Sequence, residues 1–349
     1  MSTVKILNEE VRELIDLLEV AKLVVSTLDI DQVLDAILKS AMKLTSTSAG
    51  SIALYDKATN ELEMRAHSGF SRDFVGNARW KVRKGGLTDK ILKTNKPTVI
   101  TNTTNKKFFT NAVAIKEGIK SMVCVPLVLD KEIIGVFYVD DFNPREFTER
   151  ELRLLYILSS FASMSIRHAR EHDTTVKLAI TDGLTGLFNH RHFQEVLERE
   201  ISRTLRYNDR FSLIIIDIDN FKQVNDKYGH QFGDQVLRKL SEILLSSCRD
   251  SDTVARYGGE EFAVILPKVD SSQATLTAQR IKKDIKARSA ELMDGKMPLT
   301  VSIGIATCPA DDKSRQGLIE KADKALYTAK ARGKDRAVEF RNLKRTEVA

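Results

Sequence analysis

The run Phe211–Asp219, FSLIIIDID, constrains the fold more than any other stretch of the chain. Its block of Leu and Ile has no polar face until Asp217, so it reads as a central strand buried on both sides. The helical pattern HRHFQEVLEREISRTLRY precedes it and GDQVLRKLSEILLSS follows. Next come a hairpin, DTVARY-GG-EEFAVILP, a helix, SQATLTAQRIKKDIKARSAE, and a strand, LTVSIGIATCP. The order β-α-β-β-α-β is ferredoxin-like, and the helix GLIEKADKALYTAKARG and last strand RAVEF are additions to it.

The central run ends in Asp217 and Asp219, which strand alternation puts on one face, with Ile216 and Ile218 on the other. Carboxylates at a strand end are often helix caps, and Asp219 or Asn220 is placed to cap the next helix. In a ferredoxin-like core, however, this strand lies beside the hairpin that carries Glu260 and Glu261. Carboxylates converging from neighbouring strands repel unless a cation sits between them. Mg²⁺ suits, because it takes one or two carboxylates, keeps waters and completes its shell with substrate phosphates. Gly258 and Gly259 are expected to supply positive φ at the tight turn and a bare backbone on which a ligand can lie. Together these residues predict one wall of a metal-nucleotide site.

At 349 residues the chain has room for about two domains of roughly 150 residues each. A hydrophobic content of 42% with 30% charged residues is that of a globular protein. The net charge of +7 fits nucleic acid or nucleotide phosphates equally. No basic run is interleaved with aromatics, so no nucleic-acid partner is expected. Cys124, Cys248 and Cys308 are odd in number and lack metal-ligand spacing, and they read as reduced, mostly core residues. The opening MSTVKILNEEVREL is charged from Lys5 onward and is no secretory signal. LLYILSSFASMSI is too short and too rich in serine to span a membrane. A cytoplasmic protein without membrane contact is expected.

The N-terminal half has a different pattern. Ile6 to Val25 is an amphipathic helix, and a second helix runs from about Gln32 to Leu44, with Asp31 placed better than Asp29 to cap it. SAGSIALYD and ELEMRAHS, joined by Lys57–Asn60, read as strands, as do PTVIT, SMVCVPLVL and EIIGVFYVDD, the last two turned at Asp130-Lys131. A mostly antiparallel sheet with helices gives an α+β domain. Beyond Pro144 a long helix starts near Thr148. In it Leu152, Leu155, Ser159, Ala162, Ile166, Ala169, Asp173, Val176 and Ile180 form a seam of about four heptads. The plainer reading is a helix packed on its own domain. Its place between two domains favours a parallel dimeric coiled coil, which the N-terminal helix could join.

RYGGEEF, preceded by DGLTGLFNHRHF and DIDNFKQVNDKYGHQFGD and followed by ADKALYTAKARGK, resembles the GGDEF family of diguanylate cyclases. A lone GGEEF string is weak evidence, but these motifs stand in family order and spacing over about residues 177–340. The N-terminal half, through SMVCVPLVLDKEIIGVFYVDD, resembles a GAF sensor domain. The resemblances imply an α+β protein of two domains: an N-terminal helix (1–27), a GAF domain (28–147), a connecting helix (148–180), a GGDEF domain (181–342) and a tail (343–349). They imply condensation of two GTP into cyclic di-GMP with release of two pyrophosphates, in a homodimer where each 3′-hydroxyl attacks the partner's α-phosphate.

By the same resemblance Asp217, Glu260 and the Ile218 carbonyl hold two Mg²⁺ ions, with Mn²⁺ as a substitute, which would neutralise the triphosphate. Glu260 or Glu261 is the base, Glu260 ranked first. Lys222 contacts the phosphates. Asn225 and Asp234 read guanine, and His230 borders the base. Lys330 and Lys334, one helical turn apart, clamp the distal phosphates, unless they are simply an exposed helix face. Asp335 stands where the family usually has Asn, which bears on phosphate affinity, and His190 stands where Arg is usual. Arg249 and Asp252 match the RxxD product-inhibition site, with Arg280 as a further contact. A solvated salt bridge is the ordinary explanation of such a pair. The GAF ligand is unassigned. NKKFF is similar to a cyclic-nucleotide-binding pattern without reproducing it, Cys124 is expected in the core, and Trp80, His67 and Phe70 are candidates to line a pocket.

Two other classes compete. A silent GGDEF domain acting as a receptor for cyclic di-GMP or GTP would have lost signature carboxylates or the lysine, which this chain keeps. A dimerisation scaffold would leave the metal and guanine residues unexplained. A cyclic di-GMP hydrolase would need a further domain, for which no residues remain.

Overall fold

The computed structural model describes residues 3–104, 109, 111–289 and 299–346, with side chains from residue 11 to 343. The chain divides into two compact units, Met1–Thr174 and Thr175–Ala349.

In the first unit helices α1 (Thr3–Ser26) and α2 (Ile30–Thr45) lead into strands β1 (Ala49–Asp56) and β2 (Glu61–Ser68). Short helix α3 (Arg72–Val75), β3 (Arg79–Lys81), α4 (Leu87–Thr94), β4 (Thr98–Ile100) and α5 (Ala112–Glu117) follow. The long hairpin β5 (Ser121–Leu129) and β6 (Glu132–Asp141) then precedes helix α6 (Glu149–Ile180). The sheet order is β3-β2-β1-β6-β5-β4, antiparallel at every pairing. On one face Val33, Ile37, Val125 and Phe137 form a core with Val20 and Val24 of α1 and Leu155, Leu158, Ala162 and Ile166 of α6. The other face buries Cys124, Met122, Val136 and Tyr138 under α4, α5 and their loops. Cys124 is a core residue, as expected.

Two expectations are corrected here. Asp29, not Asp31, caps α2, its carboxylate accepting from the Gln32 N–H, because the helix starts at Ile30 and Asp31 already lies in its first turn, where it pairs with Arg65 at 2.7 Å. The heptad seam is not available along its whole length. Leu155, Ser159, Ala162 and Ile166 are buried in the sheet's own core, so the plainer reading holds for that half, while residues 170–179 are exposed. A 3/4 spacing describes either use of a helix, and the local sheet takes the first half.

The second unit begins within α6 and continues with α7 (His190–Tyr207), β7 (Phe211–Ile218), α8 (Phe221–Tyr228) and α9 (His230–Ser247). After them come β8 (Thr253–Arg256), β9 (Glu261–Pro267), α10 (Ser271–Ser289), β10 (Val301–Cys308), α11 (Arg315–Ala331) and β11 (Ala337–Glu339). Residues Phe340–Thr346 form helix α12 rather than a plain tail, with Phe340 against Ala325, Ala329 and Val338. The sheet runs β11-β10-β7-β9-β8, so its core has the ferredoxin-like order with β11 added beside β10. Every residue of β7 is buried, as its continuous apolar run requires: Ile214 and Ile216 face α9 and α10, and Leu213 and Ile215 face α7 and α11. Gly304 lets α11 press onto β10, since a Cβ there would lie 2.0 Å from the Ala322 carbonyl oxygen.

Candidate active site

The end of β7 and the β8–β9 turn meet as the pattern of carboxylates requires. Asp217 pairs in register with Glu261 on one side and Ser302 on the other, and the Ile218 N–H donates to the Glu260 carbonyl at 3.4 Å. Asp217 is 5% exposed, and Lys330 Nζ lies 2.7 Å from its Oδ2. Burial raises the Asp217 carboxyl above its ordinary range although Lys330 pulls the other way. Burial and then the Asp217 charge raise Glu260 as well. Two mutually repelling carboxylates thus share a lysine as counter-charge, an arrangement that a divalent cation would also satisfy. Among the described residues no group of three or more His, Cys, Asp or Glu side chains is set to hold a metal. The donor set on offer is therefore small: Asp217, Glu260 and backbone carbonyl oxygen.

Asp219 does different work. Its Oδ1 accepts from Ser302 Oγ at 2.7 Å, and its Oδ2 accepts from Thr300 Oγ1 at 2.8 Å and the Asp335 N–H at 3.0 Å. It therefore fastens β10 and the loop after α11 to β7. Neither Asp219 nor Asn220 gives α8 a side-chain cap, contrary to expectation. Asp335 turns its carboxylate away, to Lys282 at 3.3 Å and Lys286 at 3.1 Å.

The glycines of the turn serve space rather than conformation. Neither Gly258 nor Gly259 has a positive φ, so that expectation is corrected. A Cβ on Gly259 would meet nothing within 4 Å, whereas one on Gly258 would lie 2.5 Å from Glu261 Oε2. The turn is held by Arg256, a residue the motif reading passed over. Its Nη1 lies 3.0 Å from Asp182 Oδ1, while Nη2 and Nε donate to the Gly259 carbonyl at 2.7 and 3.2 Å. Asp182 also accepts from the Leu184 and Thr185 N–H groups and from Thr185 Oγ1. Burial works against ionisation of Asp182, but the bonds from Thr185 and Arg256 outweigh it and lower its pKa. Opposite charges in DGLTGL and ARYGGEEF were the only signal in the sequence. His190 packs on Tyr257, ring centroids 5.0 Å apart, at the base of the same turn.

The remaining candidates fall into four groups. Lys222, on α8, is exposed, and so is His230 at the start of α9. Asn225 of α8 lies against Gly233 of α9, where a Cβ would come 1.9 Å from its Oδ1, next to half-buried Asp234. Lys334 is not on the helix with Lys330: α11 ends at Ala331, and Lys334, at φ 61°, donates to Asn220 Oδ1 at 2.5 Å. The chain's turn out of the helix still brings both lysines to the end of β7. Arg249 and Asp252 close a turn, the Arg249 N–H donating to Asp252 Oδ2 at 2.8 Å, and Arg280 donates to the Ser247 carbonyl at 2.8 Å. Among the described residues Arg249 and Asp252 are joined through the Arg249 backbone rather than by a side-chain ion pair.

In the other unit Trp80 lines a cavity, while His67 is exposed and Phe70 stacks on Phe74 at 4.3 Å. Residues 105–108 of NKKFF lie outside the described residues. Among the described residues no helix is long and apolar enough to cross a membrane.

The family described as "Diguanylate cyclase, GGDEF domain" matches residues 179–336, and the GAF domain family matches residues 27–167. "Diguanylate cyclase A" of Treponema denticola is 30% identical over 350 residues, 97% of this chain and 92% of that protein. "Diguanylate cyclase DosC" of Escherichia coli is 34% identical over 214 residues, 60% of this chain and 46% of that protein. "Response regulator PleD" of Caulobacter vibrioides is 37% identical over 168 residues, 48% of this chain and 37% of that protein. The chain belongs to the GGDEF family of diguanylate cyclases, with a GAF domain preceding the GGDEF domain.

Proposed function

We propose that this chain condenses two GTP molecules into cyclic di-GMP and two pyrophosphates, as a homodimer in which each GGDEF domain presents one GTP to the other. The observation that carries the reading is the pair Asp217, at the end of β7, and Glu260, in the neighbouring β8–β9 turn, beside the open backbone of Gly259 and with Lys330 as their nearest counter-charge. The likeness to diguanylate cyclase A over 92% of that protein supports it.

Asp217, Glu260 and the Ile218 carbonyl would hold two Mg²⁺ ions, or Mn²⁺ in their place. Such ions, when bound with GTP, offset the triphosphate charge and ease ionisation of the attacking hydroxyl. Glu260, its pKa raised by burial and by Asp217, takes that proton, with Glu261 as the second candidate. Lys222, exposed on α8, would meet the phosphates, and Lys330 and Lys334, held at Asp217 and Asn220 by the end of β7, would clamp the distal phosphates. Asn225 and Asp234 take the guanine edge, with His230 beside the base. Cyclic di-GMP binds back at Arg249, Asp252 and Arg280 and slows the enzyme. The GAF domain sets activity through α6, whose exposed residues 170–179 meet those of the second copy.

The test is ligand-induced stabilisation. A non-hydrolysable GTP analogue should raise the unfolding temperature of the full chain, and Mg²⁺ should increase that rise. Asp217→Asn should remove the Mg²⁺-dependent part and leave the rest. A Mg²⁺ increment equal in parent and variant would remove Asp217 from the site.

A further inference from the structure

Asp335 stands where Asn is usual, next to a lysine read as a phosphate clamp, and the structure gives its carboxylate a task. Gly333, Lys334 and Asp335 have φ of 104°, 61° and 46°, three successive residues in the left-handed region that side chains with a Cβ rarely adopt. Such backbone persists only where its surroundings hold it. Asp335 is held from two sides. Its N–H donates to Asp219 Oδ2 at 3.0 Å, just beyond β7, and its carbonyl accepts from Lys282 Nζ of α10 at 2.7 Å. The carboxylate adds a third hold. Its buried Oδ1 lies 3.3 Å from the same Lys282 Nζ as an ion pair, and Oδ2 accepts from Lys286 Nζ at 3.1 Å. Lys282 and Lys286 are one helical turn apart, so one face of α10 grips a single residue. Burial works against the charge of Asp335, but the bond from Lys286 and the charge of Lys282 outweigh it and keep the carboxyl below its ordinary range.

The turn held in this way carries Lys334 back to the end of β7, where its Nζ donates to Asn220 Oδ1 at 2.5 Å. Lys334 approaches from the loop rather than from α11, so its place depends on the backbone of residues 334 and 335. With the N–H and the carbonyl of Asp335 pinned to different elements, that backbone has little freedom. We propose that Lys282 and Lys286 are positioning residues for nucleotide binding: through Asp335 they fix the left-handed turn that presents Lys334 to the distal phosphates of GTP. The inference rests on the reading of Lys334 as a phosphate contact. It reverses the simple electrostatic expectation. An unanchored carboxylate beside Lys334 would repel phosphate, so that Asp335→Asn would tighten GTP binding. A carboxylate that anchors the turn is needed there, and the same change weakens binding.

Binding rather than turnover is the readout. The full chain is titrated calorimetrically, with Mg²⁺ present, against guanosine 5′-(α,β-methylene)triphosphate, which the cyclase reaction cannot cleave, and against GMP, which has no distal phosphate. Lys334→Ala sets the scale and should weaken the triphosphate by about tenfold while GMP binds as to the parent. Lys286→Met and Asp335→Asn should each weaken the triphosphate by about threefold, with parental GMP binding showing that the variants are folded. Their double variant should bind no worse than Asp335→Asn alone, because Lys286 acts through that carboxylate. Lys283→Met, the same charge change on an exposed neighbour in α10, should have no effect. A loss from Lys334→Ala with none from Lys286→Met or Asp335→Asn would refute the proposal and leave Lys334 as a phosphate contact. No loss from Lys334→Ala would remove both. Tighter binding by Asp335→Asn, or an equal loss from Lys283→Met, would put plain charge in place of anchoring and overturn the proposal.

Discussion

Arg256 ties the Gly258-Gly259 turn to the start of the GGDEF domain, and Arg256→Ala measures what that tie contributes. The ion pair with Asp182 is neither exposed nor deeply buried, with side chains 17% and 24% exposed. Its loss should fall between the roughly 0–1 kcal/mol of a surface pair and the about 3–5 kcal/mol of a broken buried one. About 2 kcal/mol is reasonable, since Asp182 keeps its bonds from Leu184 and Thr185. The fork onto the Gly259 carbonyl adds about 1 kcal/mol. A loss of about 3 kcal/mol should lower the unfolding temperature of this unit by roughly 6–12 °C. Activity should suffer more than stability accounts for, because Glu260 sits on the released turn. A shift of about 1 Å there would cost about 10²-fold in kcat, with a smaller change in KM. Arg256→Lys keeps the charge but cannot fork, and should recover only part of either loss. Calorimetric unfolding and cyclase kinetics at a temperature where all variants are folded provide the readout. An Arg256→Ala protein with parental unfolding temperature and parental kcat would refute the reasoning.

Other perturbations separate space from strain and charge from burial. Gly259→Ala should leave stability within about 0.5 kcal/mol, since its Cβ enters open space, yet lower turnover by at least about tenfold if the nucleotide occupies that face as proposed. Gly304→Ala should do the reverse, costing about 1–3 kcal/mol in chemical denaturation because its Cβ meets the α11 backbone. Burial raises the folded-state pKa of Asp140, so the folded chain holds a proton that the unfolded chain releases. The contribution of Asp140 to stability therefore falls as pH rises from its unfolded value near 4, by up to about 1.4 kcal/mol per pH unit until the folded pKa is passed. Urea unfolding between pH 5 and 7, run on parent and Asp140→Asn, should show this slope in the difference between them, and parallel curves would refute it.

What was legible in the sequence followed from short-range physics. A continuous apolar run can only be a covered strand, and the hairpin next to it had to bring Glu260 towards Asp217; the register Asp217↔Glu261 is that arrangement. The helices were legible from period and composition. What could not be read depends on contacts distant in the chain. Arg256 and Asp182 stand 74 positions apart with no pattern linking them, and Lys330 finds Asp217 only once α11 has packed across the sheet. Asp219 reads as a helix cap because the groups it accepts from, the Thr300 and Ser302 hydroxyls at β10 and the Asp335 N–H beyond α11, are distant in the chain. The seam of α6 misled for a simpler reason, since the same spacing serves a partner helix or the domain's own sheet. Asp140 ends the strand EIIGVFYVDD like any polar boundary residue, and only the fold shows that it is sealed inside.

The most direct measurement is product analysis. Purified chain and its Glu260→Ala variant are incubated with GTP and Mg²⁺, and the products are separated by chromatography. Cyclic di-GMP and pyrophosphate should appear in a ratio of 1:2 from the parent, with neither from the variant. A parent that is dimeric and binds cyclic di-GMP but makes none, with or without a ligand for its GAF domain, would contradict the account and make the domain a receptor.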